Sequence, residues 1–358
     1  MDLDGVTIFP FPAWSDNPYI NLLYLAPRAE GAIVEQAKEL DVLLEQLARA
    51  RSRDIVHIHW TAPICQTADT EEEAESRFAA FSAAILLAKE RGVRLVWTVH
   101  NTIPHDVKFL EIEIRVNQFL SDQARMVHIM NPATPETVAE FYTLPPDRTV
   151  TIPHSSYLGI YGTRPRTTAR EHFGIKDNEK VVLFLGQMRP YKGLGTLLRA
   201  VELAHTDDAP LVLLLAGKTD AVVLEAIDSM LPPSVRVVRE HNYIDDLDID
   251  LWFAASDVAV FPYSRILNSG SVQLASTFGV PCILPNEGHL VRQFADEPWV
   301  SFYDRADEVE SLAKALRVWE DPSGHLSAAA RLASVRYTPY RMSTDYLNAI
   351  RGFDTVAV

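Results

Sequence analysis

Twice along this chain, short apolar runs rich in β-branched residues alternate with longer stretches of helical periodicity. The first set of runs is Val6–Phe9, Ile55–His59, Arg94–Val99, Met126–Met130 and Thr149–Ile152. Most are nearly continuous in their apolar residues, the pattern of strands buried on both faces of a parallel sheet. The last is weaker, because Thr149 and Thr151 alternate with Val150 and Ile152. Between the runs the spacing predicts helices over Ala32–Ala50 and Glu72–Arg91. Parallel strands need crossover connections, and crossover helices cover the sheet, so this order implies an α/β architecture.

A second set follows a Pro- and Arg-containing stretch, Gly162–Arg166. Its strands read Val181–Gly186, Leu211–Ala216, Val235–Arg239, Val258–Phe261 and Pro281–Leu284, with helices expected over Gly193–Ala204, Val222–Met230, Ile249–Ala255, Ser271–Phe278 and Glu308–Glu320. Two such windings predict two Rossmann-like domains facing a central cleft, residues 1–160 and 161–335. A last segment, 336–358, carries Tyr337, Pro339, Tyr340 and Tyr346 and predicts a helix over Arg341–Arg351. Open α/β sheets bind ligands outside the carboxyl ends of their strands, so residues just after each run are the candidates for chemistry.

The charge balance narrows the partners. Lys and Arg number 33 against 48 Asp and Glu, a formal net charge of -15. That argues against nucleic-acid binding, which needs a basic footprint. Arg49, Arg51, Arg53, Lys89, Arg91 and Arg94 could form a local basic patch for peripheral membrane contact, or be the solvated ends of two helices, which is the favoured reading. No run approaches the length of a membrane span, and the acidic start Met1-Asp2-Leu3-Asp4 does not read as a secretory signal. Cys65 and Cys282 read as thiols of a reducing compartment, so a cytoplasmic location is expected.

One segment, Gly186-Gln187-Met188-Arg189-Pro190-Tyr191-Lys192-Gly193, lies between a buried strand and a helix start. Glycine permits the tight turn, and a helix N-terminus offers free N–H groups and positive dipole. Arg189 adds a planar fork and Lys192 a point charge, a set suited to a diphosphate. A second segment, Pro262 to Ser271, is again between strand and helix, and Asn268, Ser269, Gly270 and Ser271 would supply hydroxyls and backbone donors to the same anion. Plain N-capping by these residues is the competing reading.

The order of these motifs, with Ala216-Gly217-Lys218, an acidic loop before Ala254-Ala255-Ser256-Asp257-Val258, and Phe278-Gly279-Val280-Pro281, resembles the donor domain of bacterial GT-B glycosyltransferases of group 1. The resemblance runs over nearly the whole chain. It implies that Arg189 and Lys192 hold the donor diphosphate. It implies further that Gly186, Gln187 and Gly217 line the nucleotide site, that Tyr243 and Ile244 lie beside the base, and that Asn268–Ser271 sit against phosphates and sugar. Many retaining members carry two glutamates where this chain has Ile266 and Leu274, so those contacts must come from elsewhere, with Asn268 and Gln273 as candidates. The Ser-Gly-Ser variant looks more like a branch with exopolysaccharide mannosyltransferases, some of which invert. GDP-mannose is the first expectation for the donor and UDP-glucose the second.

On the acceptor side, polar and aromatic residues cluster after the first-half strands: Asn17 and Tyr19; His59 and Trp60; His100, Asn101, His105 and Asp106; His154 and Tyr157. Aromatic rings suit the apolar face of a sugar, while His, Asn and Asp suit its hydroxyls. His57, deeper in its run, reads as structural. By resemblance His100 touches the donor sugar. An inverting reaction needs a base for the acceptor hydroxyl, and Asp106 is the candidate, with His105 and His154 behind it; the competing reading for Asp106 is that it caps a helix starting at Val107. The Asp245–Asp250 run contains two D-x-D patterns, but a solvated helix start is favoured, so no metal or other cofactor is expected. The expected activity is transfer of a hexose to a saccharide or lipid-linked saccharide acceptor. A catalytically silent nucleotide-sugar-binding subunit is the alternative.

Overall fold

The computed structural model describes residues 2–14 and 18–354. It divides into two units, one of residues 1–155 with 339–358, the other of residues 156–338. Asn17 lies outside the described residues.

In the first unit the strands are β1 (Thr7–Phe11), β2 (Ile33–Val34), β3 (Ile55–Ile58), β4 (Arg94–Val99), β5 (Met126–Ile129) and β6 (Thr149–Thr151). They form one sheet in the order β2-β1-β3-β4-β5-β6, and every pairing is parallel. The second unit has β7 (Lys180–Leu185), β8 (Leu211–Ala216), β9 (Arg236–Glu240), β10 (Val258–Val260), β11 (Cys282–Pro285) and β12 (Val300–Tyr303). Its sheet, also parallel throughout, runs β12-β11-β10-β7-β8-β9. The core of each unit is its sheet with the helix faces against it. All of β8 is buried, as its unbroken Leu-Val-Leu-Leu-Leu-Ala predicts.

Strand order sets where a ligand can sit. The winding reverses between β1 and β3 in the first unit and between β7 and β10 in the second. Loops leaving the carboxyl ends of such neighbours diverge to opposite faces and leave a crevice.

Three sequence expectations are corrected. The helix expected over Ala32–Ala50 is confined to Leu40–Arg49. Gly31 has φ of 89°, and Ile33 donates to the Val6 carbonyl, so this stretch is an edge strand before it is a helix. The helix expected at Val107 begins at Leu110, after Phe109. Asp106 is exposed in the preceding turn, and the N-cap of this helix is Phe109, so Asp106 does not cap it. Edge strand β12 has no counterpart among the expected strands.

The last helix, Pro339–Arg351, belongs to the first unit. Ser343 Oγ accepts the Ala26 N–H at 2.7 Å and donates to the Leu23 carbonyl at 2.8 Å, serving two backbone groups left over at the ends of short helices. Met342, Tyr346, Leu347 and Ile350 are buried along one face. Each contributes roughly 1.5–3 kcal/mol of apolar burial.

The basic side chains of the candidate patch are largely engaged locally. Arg49 pairs with Glu35, Arg91 donates to the Leu47 carbonyl, and Lys89 donates to Gln123.

Candidate functional site

In the second unit the loops leaving β7, β8 and β10 converge. Met188 donates to the Lys218 carbonyl at 2.9 Å, and Ser264 donates from N to the Tyr191 carbonyl at 2.8 Å. Two glycines make this approach possible. A Cβ on Gly193 would lie 1.9 Å from the Pro262 carbonyl oxygen, and one on Gly217 would lie 2.0 Å from that of Gly186; their φ values are +69° and +141°. The loop after β7 continues as a 3-10 turn, Pro190–Lys192, and the helix Leu194–Ala204.

On this frame Arg189 lies 3.8 Å from Asp220, and the Gln187 amide, turned so that its oxygen faces the guanidinium, accepts from Arg189 Nη2 at 2.9 Å. Lys192 Nζ lies 3.6 Å from the centroid of the Tyr263 ring. Across the switch point, the helix Gly270–Phe278 starts at Ser269, whose Oγ accepts the Val272 N–H at 3.4 Å. Ser269 therefore does cap this helix. Ser271 Oγ packs against Gly186, 3.5 Å from where a Cβ there would be. Gly186, Arg189, Lys192 and Ser271 thus belong to one place, with Asn268 and Gly270 in the same turn. Gly217 is buried beneath it. Tyr243 is exposed and Ile244 buried, in the loop after β9. Gln273 is buried in the helix and Leu274 beside it.

The acidic loop is occupied by an arginine. Arg164 donates to Asp250 Oδ1 at 2.8 Å and to Asp248 Oδ1 at 3.0 Å, while Asp245 accepts the Leu247 N–H at 2.9 Å. These contacts fit a helix start held to the preceding segment.

In the first unit the ends of β1, β3 and β4 bring aromatic and imidazole rings together. His59 Nδ1 lies 3.2 Å from His100 Nε2. Trp60 stacks on His100 with centroids 4.0 Å apart and planes at 19°, and Trp14 tilts against Trp60 at 5.0 Å. Tyr19 sits edge-on to His100 at 5.3 Å and tilts against His154 at 4.9 Å. One face of Trp60 is therefore taken by His100, which narrows its use as a sugar platform. A cavity of about 30 Å³ beside these rings is lined by His59, Trp60, Thr61, His100, Asn101 and Pro104, room for a water but not for a sugar ring. His105 is half-buried in the turn after Pro104, next to exposed Asp106.

Tyr157 departs from its expected place. It belongs to the second unit, where its N–H donates to Thr277 Oγ1 at 2.9 Å and its ring packs on Tyr161.

Beneath this surface runs a buried hydrogen-bonded chain. His57 Nδ1 lies 2.6 Å from Tyr24 Oη and 3.0 Å from Tyr346 Oη; Tyr24 Oη also lies 2.8 Å from His59 Nε2. His57 Nε2 lies 2.7 Å from Thr98 Oγ1, which lies 3.0 Å from His128 Nδ1. His128 Nε2 reaches the Ile152 carbonyl at 2.9 Å. His57 is structural, as expected, but its partners are side chains. Burial holds the pKa of His57, His59 and His100 well below the usual imidazole value, with neighbouring histidines adding to the effect. Burial also brings His128 and His154 down to about 4. Burial pushes the hydroxyls of Tyr24 and Tyr346 well up. At neutral pH all of these groups are uncharged. Sequence reasoning missed Tyr24 and His128 as parts of these sites, and it read Tyr263 only as a member of the Pro262–Ser271 segment.

Residues 179–319 match the family model described as glycosyl transferases group 1. A GDP-mannose:glycolipid 4-beta-D-mannosyltransferase of Xanthomonas campestris pv. campestris is 23% identical over 304 residues, covering 82% of this chain and 77% of that one. A D-inositol 3-phosphate glycosyltransferase of Thermobispora bispora is 28% identical over 295 residues, covering 74% and 67%. Among solved structures, HepE of Anabaena in complex with UDP-glucose has a TM-score of 0.72 at 14% identity, covering 97% of this chain and 99% of its own. Sucrose-phosphate synthase of Thermosynechococcus elongatus reaches 0.75 at 16% identity, covering 98% and 100%. The solved structures share the fold, and the family match covers residues 179–319. On these grounds the chain has the GT-B fold, and residues 179–319 carry a glycosyl transferases group 1 domain.

Proposed function

We propose that the chain transfers a hexose from a nucleotide-diphosphate sugar to a saccharide or lipid-linked saccharide acceptor, without a metal ion. The observation that carries this reading is the pairing of Arg189 and Lys192 with the start of the helix Gly270–Phe278 at one switch point. Cations and free N–H groups there would stabilise the charge that develops on a departing diphosphate. With two fixed cations present and Asp248 and Asp250 engaged by Arg164, the charge on the leaving group has a protein partner. Tyr243 and Ile244 would flank the base, and Gly217, which has no Cβ to block the Gly186 carbonyl, would let the loops that line the nucleotide site close together.

GDP-mannose is the first donor to test, in keeping with the mannosyltransferase relative, and UDP-glucose the second. His100 would contact the sugar, with Asn101, His59, Trp60, Tyr19 and His154 around it; Asn17 and His105 complete the expected acceptor side. In an inverting reaction the Asp106 carboxylate takes the acceptor hydroxyl proton, the acceptor oxygen bonds to the anomeric carbon, and the electron pair of the breaking bond leaves with the diphosphate. In a retaining reaction Asp106 binds an acceptor hydroxyl instead. No helix among the described residues is long and apolar enough to cross a membrane. We place the enzyme in the cytoplasm, peripheral to the inner face of the cell membrane when its acceptor is lipid-linked.

The test is a thermal-shift panel of GDP, UDP, dTDP, ADP and their sugar conjugates with chelator present. Selective stabilisation by one nucleotide identifies the donor class, since a ligand that binds only the native state raises its melting temperature. Turnover with that donor and a saccharide acceptor supports the transferase. Binding without turnover on any acceptor supports the silent subunit, and no shift at all defeats both.

A further inference from the structure

The buried chain under His100 has a direction that hydrogen-bond chemistry fixes from one end. The Ile152 carbonyl can only accept, so His128 carries its proton on Nε2 and leaves Nδ1 bare. The Thr98 hydroxyl must then donate to His128 Nδ1. With that proton spent, Thr98 Oγ1 accepts from His57 Nε2–H, and His57 Nδ1 is left as an acceptor for a tyrosine hydroxyl.

Two hydroxyls compete for that nitrogen, which has one lone pair in the ring plane. Tyr24 stands at 2.6 Å and Tyr346 at 3.0 Å. If Tyr24 donates to His57, its oxygen accepts from His59 Nε2–H; His59 Nδ1 is bare and accepts from His100 Nε2–H. Nδ1 of His100 is then an acceptor. If Tyr346 donates instead, Tyr24 can turn its proton to His59 Nε2, both following imidazoles change tautomer, and His100 carries its proton on Nδ1. The two arrangements hold the same number of protons. The shorter Tyr24 contact favours the first.

We infer that Tyr24, acting through His59, is a positioning residue that holds His100 in its Nε2–H tautomer, so that His100 Nδ1 accepts a hydrogen bond from a substrate sugar hydroxyl. The functional half of this inference rests on the reading of His100 as a sugar contact; the tautomer itself does not. Trp60, stacked on the ring, fixes the plane in which that nitrogen points. The chain orients and does not store a proton. A proton entering at His100 and passed inward would leave His57 as an imidazolium, fully buried and beside His59.

The test is the imidazole ¹⁵N chemical-shift pattern of the full-length protein, with His100 assigned by its loss in His100→Asn. The wild type is expected to show His100 as Nε2–H. Tyr24→Phe is expected to shift it to a mixture or to Nδ1–H, and to lower kcat about tenfold with the nucleotide KM unchanged, the loss of roughly one hydrogen bond. Tyr346→Phe removes the competitor and leaves the tautomer as it was. A purely packing role for Tyr24 would lower stability in both variants without moving the ¹⁵N pattern. Should Tyr24→Phe fail to fold, His59→Gln interrupts the same chain and is expected to free the His100 tautomer. His100 found as Nδ1–H in the wild type, or unmoved in Tyr24→Phe or His59→Gln, overturns the inference. A tautomer that moves as expected in a protein that binds no nucleotide sugar keeps the chain and sinks the transferase reading.

Discussion

Lys192 Nζ rests 3.6 Å above the centre of the Tyr263 ring, in the loop after β7 and the loop after β10 respectively. The ring face is electron-rich, so it holds the ammonium at the proposed diphosphate site without neutralising its charge. Removing the face should release the lysine. Tyr263→Leu is expected to weaken nucleotide-diphosphate binding about 2- to 30-fold, the range of a cation–π contact of roughly 0.5–2 kcal/mol. Tyr263→Phe keeps the face and should bind as the wild type does. It removes a buried hydroxyl that has no hydrogen-bond partner among the described residues, so stability should hold or rise slightly. Titration calorimetry on both variants decides; equal weakening in the two would remove the ring from the account.

Gly193 should tolerate no side chain. At φ of +69° an L-residue already costs about 1–2 kcal/mol, and its Cβ would meet the Pro262 carbonyl oxygen at 1.9 Å. The neighbour is backbone, and moving it separates the two loops proposed to hold the diphosphate. Gly193→Ala is therefore expected to lose at least about 2 kcal/mol of stability and most nucleotide affinity together. Gly288→Ala, where a Cβ meets nothing within 4 Å, is the matched control. Denaturant unfolding of the pair gives the comparison, and equal midpoints would contradict the close approach.

Acid should destabilise the first unit before it protonates many carboxylates. His128 has its pKa lowered from 6.5 to about 4 by burial, and His57 and His59 are lowered in the same sense. Above 6.5 native and unfolded histidines are alike neutral. Between 6.5 and about 4 the unfolded chain binds protons that the native protein refuses, so stability falls with pH through this window. For His128 the fall from pH 6.5 to 5 is on the order of 2 kcal/mol. Urea unfolding at pH 7, 6 and 5 measures it. A flat profile would mean that these imidazoles are charged or exposed.

What the sequence shows of this molecule depends on how local each feature is. Strands such as Leu211–Ala216 are buried on both faces, so their apolar runs are unbroken and their bounds can be read directly. Ile33–Val34 is a two-residue edge strand whose place is set by hydrogen bonds to β1, and no local pattern marks it. The loop proposed for the diphosphate can be read as one unit because Gly186, Arg189 and Lys192 are neighbours in sequence. The histidine chain is not, because it is assembled across the whole chain: Tyr346 meets His57 from 289 residues away. Tyr263 was legible as a member of the Pro262–Ser271 segment; that it lies under a lysine depends on the close approach at Gly193. Tyr157 was assigned by proximity in sequence to His154, yet the unit boundary falls between Ser155 and Ser156.

Asp106 gives a clean test of the acceptor side because the fold makes so little use of it. It lies exposed in the turn before the helix Leu110–Gln123, whose N-cap is Phe109, so no helix end depends on its carboxylate. Asp106→Asn should therefore leave the unfolding midpoint within about 0.5 kcal/mol of the wild type, as for surface changes away from caps and cores. Nucleotide affinity should also be unchanged. If the carboxylate takes the acceptor hydroxyl proton, kcat should fall by roughly 10²–10⁴, the usual contribution of a positioned base. Single-turnover rates on donor-saturated enzyme measure this without interference from product release. A loss of less than about tenfold would exclude Asp106 as the base, since a positioned base contributes at least roughly 10², and it would leave either the retaining course, in which no such base is needed, or a base at His105 or His154.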